Sequence, residues 1–142
     1  MAGLNYRVDS TDFQGALRAA LDRLTGAARE ATQAAANDMV NHAKGLCPVN
    51  TGRLRSSIQA VPAGGRFRFS VTIGTNVTYA ADVEYGTAPH VIVPKNKRAL
   101  YWPGAAHPVA KVNHPGTQAR PFMRPAVALA ETFLRNHAKG IR

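Results

Sequence analysis

Apolar residues recur at Phe13, Leu17, Ala20, Leu21, Leu24, Ala28, Ala31, Ala35 and Met39, in steps of three and four. That spacing lines one side of an α-helix, and it predicts a long amphipathic helix from about residue 11 to 45. Thr11 and Gln14 stand at capping-box spacing, and Asp12 places negative charge at the positive end of the helix dipole. Gly45 and Pro48 end the helix, because proline lacks a donor and restricts the residue before it. The middle is rich in alanine (Ala27, Ala28, Ala31, Ala34, Ala35, Ala36), which lets another backbone approach closely. The helix is therefore expected both to pack on its own sheet and to meet a neighbour.

The period then changes from helical to alternating. Ile58 to Val61 reads as a strand, with Pro62-Ala63-Gly64-Gly65 as its turn. Phe67, Phe69, Val71 and Ile73 follow on one face, with Arg66, Arg68, Ser70 and Thr72 on the other. The apolar face should meet the long helix and leave both arginines on the open face. Thr78 to Tyr85 reads as a short helix stopped by Gly86, with a strand as the alternative. His90 to Val112 reads as a long hairpin: Val91-Ile92-Val93 outward, Ala99 to Trp102 after a break, a Pro103-Gly104 turn, and Val109 to Val112 returning. Pro94 suggests an edge position there. Pro121 and Pro125 suit the first turn of a closing helix whose inner face is Phe122, Ala126, Leu129, Ala130 and Phe133. The fold class is α+β. A long N-terminal helix and a C-terminal helix pack on a small, mostly antiparallel sheet with an extended hairpin.

Composition narrows the classes. A chain of 142 residues is most simply one domain. Within it, residues 1–10 form an N-terminal arm and residues 88–118 the extended basic hairpin. Cys47 is the lone cysteine, with no partner for a disulfide or a metal cage, and reads as a small buried hydrophobe. No stretch has the length of apolar sequence that spans a bilayer, and the start lacks a signal-peptide pattern. A soluble protein made in a cytoplasm is expected, with no membrane partner. Net charge is +10 and uneven: residues 90–142 hold nine Lys/Arg against one acid, residues 1–89 nine against seven. Such a block attracts nucleic acid or an acidic protein face, unless it is simply a solvated surface.

Candidate chemistry is sparse. Asp82 and Glu84 are two apart, which separates them on a helix and joins them on a strand. A paired-carboxylate hydrolase is a weak reading of them, and Glu84 fits better as a holder of an arginine or a backbone amide. His90, His107 and His114 share a loop-rich region, but their spacing matches no familiar zinc site. The serines stand in no nucleophile elbow, and no phosphate-cradling loop is present. No catalytic, cofactor or metal residue is assigned. The hairpin is the better candidate: Lys95, Lys97, Arg98 and Lys111 surround Tyr101 and Trp102, at least one of which should be core. With Arg120 and Arg124 these are the candidate contacts to a DNA channel or an acidic partner. Phosphate contacts of this kind are blind to sequence.

Three turn-rich segments stand in fixed order: CPVNTGRLRSSI (47–58), IGTNVTYAADVEYGT (73–87) and ARPFMRPA (119–126). Each joins backbone-special residues to apolar anchors, through Pro48, Asn50, Thr51, Gly52, Gly74, Tyr79, Glu84, Gly86, Pro121, Phe122 and Pro125. Asn50 and Thr51 offer side-chain oxygens to cap a short turn, and Gly52 permits a positive φ. In this order the segments resemble the neck and tail-completion proteins of long-tailed bacteriophages, also called minor tail components or head-to-tail connectors. That family usually has aspartate where this chain has Asn50. The resemblance implies a structural virion protein of the neck, made in the host cytoplasm, with no catalytic residues or cofactor. It further implies a ring of identical subunits, six by analogy, around a channel threaded by genomic double-stranded DNA. Neighbours would be head-completion or adaptor proteins and tail-terminator or tail-tube proteins. A tail-terminator ring is the alternative within that class, and a free nucleic-acid-binding protein the alternative outside it.

Overall fold

The structure, a computed structural model, describes residues 10–141; the expected N-terminal arm lies almost wholly outside them. Helix α1 runs Thr11–Leu46, followed by the short α2 (Arg53–Ser57). Strands β1 (Gln59–Gly64) and β2 (Phe69–Gly74) come next, then α3 (Ala80–Tyr85). A second strand pair, β3 (His90–Ile92) and β4 (Val112–His114), precedes α4 (Met123–Ala128) and α5 (Ala130–Ala138). The class is α+β, but the strands form two separate antiparallel pairs, β1–β2 and β3–β4.

Only the second half of α1 enters the core. Val40 and Ala43 cluster with Cys47, Leu54, Ile58, Val77, Phe122 and Ala126, all buried. On another side of α1, α5 runs along Ala31, Asp38 and His42. His137 Nε2 lies 2.7 Å from Asp38 Oδ2, and the Phe133 ring meets His42 edge-on. The first half is bare: Phe13 is 69 % exposed and Leu17 48 %. The sequence stripe is thus continuous, but the chain covers only part of it.

Several local boundaries differ from the sequence reading, each for a physical reason. The first hairpin turns at Gly65–Arg68, closed by the Gly65 amide donating to Arg68 O at 2.8 Å, so β1 continues through Pro62. Proline is tolerated there because a two-stranded sheet consists of edges. Phe67 therefore sits in the turn, 73 % exposed, and the inward face begins at Phe69. Arg66 leaves the open face and pairs with Asp22 on α1. β3 stops at Ile92, ahead of Pro94, and the returning strand is Val112–His114, with Val109 holding only an isolated bridge to Leu100. Neither Tyr101 nor Trp102 is core; both are exposed. The closing helix is split at Leu129, whose amide tightens back onto Ala126 O at 3.2 Å.

Cys47 is buried, with its thiol 3.6 Å from Pro48 O. Burial raises its pKa above the ordinary thiol value, and Arg55 offsets this only in part. Native protein at pH 8 is expected to react with a thiol reagent at least about tenfold more slowly than urea-unfolded protein. Equal rates would show that the site is open.

Candidate functional site: the junction of three segments

The second and third segments meet at one buried carboxylate. α3 carries Glu84 on its inner side, 5 % exposed, facing the start of α4. The amides of Phe122 (2.8 Å) and Met123 (2.9 Å) donate to Glu84 Oε2, and the amide of Arg124 donates to Oε1 at 2.9 Å. These are first-turn donors that a helix cannot satisfy within itself. The Arg124 side chain adds Nε to Oε1 at 3.0 Å and Nη2 to Glu84 O at 3.2 Å. Its guanidinium also lies 4.8 Å from the centre of the Tyr85 ring. Burial by itself would raise the pKa of Glu84, but the Met123, Phe122 and Arg124 amides and the Arg124 side chain outweigh it and lower the pKa. Glu84 is thus a charged clamp, and Asp82, exposed on the same short helix, does not share its site.

Backbone contacts extend the junction. The Arg120 amide donates to Val83 O at 2.8 Å, while Thr87 and Thr117 exchange amide bonds at 3.0 and 3.1 Å. Gly86 and Gly116 make this approach possible: a Cβ on Gly86 would lie 2.5 Å from Thr117 O, and one on Gly116 2.2 Å from Thr87 O. Phe122, directly before α4, is fully buried against the core.

The first segment closes the third side. Gly52 takes φ +80 and is the N-terminal cap of α2, so it, and not a side chain, sets the turn. Thr51 Oγ1 accepts from the Arg53 amide at a long 3.4 Å, and Asn50 stands exposed. Leu54 and Ile58 are the buried anchors. A cleft of about 510 Å³ runs between Pro48–Leu54 and Tyr79, Val83 and Arg120. It adjoins one of about 370 Å³ lined by Asp82, Thr117 and Gln118 as well. Residues of all three segments border this groove, although they are distant in sequence.

Residues 11–86, just over half of the chain, match the model of the HK97-gp10-like family, described as "Bacteriophage HK97-gp10, putative tail-component". The chain belongs to that family. The match opens at the first residue of α1 and closes on Gly86, so it contains Glu84 but not the α4 start that Glu84 holds. No curated protein and no solved structure matches the chain.

In this tail-component family member the candidate cations do not form one patch. Lys95, Lys97 and Arg98 lie exposed in the loop beyond β3, and Lys111 directly precedes β4. Because Ile92 pairs with Val112, Lys111 falls opposite the start of that loop. Arg120 and Arg124 lie at the base, beyond the Thr87–Thr117 bridge, and both are engaged in the junction. His90 and His114 stack across β3 and β4 with ring centres 5.0 Å apart, while His107 is exposed on the connecting loop. Among the described residues no group of three or more His, Cys, Asp or Glu gathers as metal ligands. No helix among them is long and apolar enough to cross a membrane. Glu84's partners could not be read from sequence, since they lie 38 to 40 residues away. The only signal was an acid on a short helix before a glycine.

Proposed function

We propose that this protein is a non-catalytic structural subunit of the phage head-to-tail connector, assembling as a ring of six copies around the DNA channel. It would sit in the virion neck and join the capsid-side connector to the tail. The reading is carried by the basic arm. Residues 88–118 hold Lys95, Lys97, Arg98 and Lys111 and no acid, and they extend from a body that belongs to a tail-component family. A field of one sign attracts a polyanion without reading its sequence, as a threaded genome requires. The rigid three-segment junction supports the reading as well, because a collar under load needs fixed joints. Glu84 is committed to backbone amides, which removes it from acid–base work.

Deletion of the gene should leave filled heads and tails that accumulate separately, restored by the wild-type chain. Joined, infectious particles from the deletion would refute the connector role. The same basic arm favours a second reading, a free nucleic-acid-binding protein. A monomer that retains DNA with a steep salt dependence, and is missing from purified particles, would establish that reading instead.

A further inference from the structure

Two apolar surfaces lie uncovered at different places on this molecule. The first is the forward half of α1. α5 covers the stripe as far as the region of Ala31, where His137, Gly140 and Ile141 approach the helix. The same stripe continues bare through Leu24, Leu21, Leu17 and Phe13, all at least 42 % exposed. Residues 11–24 add about 20 Å of helix at about 1.5 Å per residue. The second surface is the arm. β3 and β4 pack chiefly on each other, Val91 and Val93 share one face by strand alternation, and both are exposed. A lone two-stranded pair is marginal in water, so an arm with this composition is completed by something outside its own chain.

We infer that the arm of one copy docks along the forward half of α1 of the next copy. From the Thr87–Thr117 bridge to the Leu100–Val109 bridge the arm spans at most roughly 25 Å at about 3.3 Å per residue, close to the bare length of helix. Charge favours the same pairing. The arm carries only positive groups, and one edge of the helix stripe carries Asp12 and Glu30 against Arg23, acidic in a chain of net +10. Because the two surfaces differ, the contact is head-to-tail, the kind that closes into rings. This deepens the connector reading and rests on its self-assembly.

The test uses the full-length chain and sedimentation at rising concentration. Val91→Asp with Val93→Asp disables the arm, and Leu17→Asp with Leu21→Asp disables the helix. Each variant alone should lose assembly while keeping wild-type helical circular dichroism, since all four side chains are exposed. Mixed one to one, they retain one good surface each and should form a dimer that grows no further. An arm variant that still assembles like the wild type overturns the contact and leaves the ring intact. A wild type that stays monomeric at every concentration, and in particles, overturns the ring as well. Should a double variant misfold, Leu17→Cys and Val93→Cys chains provide a second measurement. Mixed and oxidised, they should yield the mixed disulfide pair above either self-pair. Dominant Leu17→Cys self-pairs would establish a helix-on-helix contact instead.

Discussion

Glu84→Ala is expected to cost about 3–5 kcal/mol in urea unfolding, the range for stripping one partner from a buried, hydrogen-bonded charge. The change leaves three amides at the start of α4 without their acceptor and leaves Arg124 without its carboxylate. Glu84→Gln keeps an acceptor but turns an NH2 toward donors, so a loss of about 1–3 kcal/mol is expected. The carboxylate also sets an acid dependence. Its folded pKa is lowered from 4.5, so as pH falls the unfolded chain takes up the proton first. The stabilisation from Glu84 is complete above about pH 4.5 and is lost as pH drops through the lower folded value. Glu84→Gln should therefore flatten the acid limb of the stability profile. Parallel acid limbs in the two proteins would rule out Glu84 as the titrating clamp.

Gly86→Ala should do comparable damage by a different route. Gly86 has φ 74 and ψ 178, a region that is essentially glycine-only. An added Cβ would also meet Thr117 O at 2.5 Å and the Ala119 amide at 2.8 Å, both rigid backbone. Relief requires residues 117–119 to move off α3, which breaks the Thr87–Thr117 pair and the Arg120 to Val83 bond. A loss of more than about 3 kcal/mol is expected, with faster proteolysis of residues 88–118. Gly74→Ala is the control: nothing lies within 4 Å of its Cβ position and its φ is not positive, so it should change stability little. Equal tolerance of both changes would mean that the junction is looser than its geometry.

The two motif glycines separate what local sequence says from what the fold adds. Gly74 and Gly86 look alike in a sequence segment, yet only Gly86 is held by a distant strand. Phe67 illustrates the same limit. It continues the alternation of Phe69, Val71 and Ile73, but the turn closes one residue later and leaves it exposed. Tyr101 and Trp102 read as partly core because aromatics usually are, whereas the arm has no core of its own to receive them.

The sequence by itself determined the long helix, the short helix before Gly86, the apolar face of β2 and the uneven charge. Each of these follows from periodicity, backbone restriction or counting, which act over a few residues. Tertiary structure alone decided that Glu84 clamps the start of α4, that the three segments border one groove, and that half of the α1 stripe stays bare. Those outcomes depend on groups brought together across tens of residues, and on how far the chain's own elements reach before they run out.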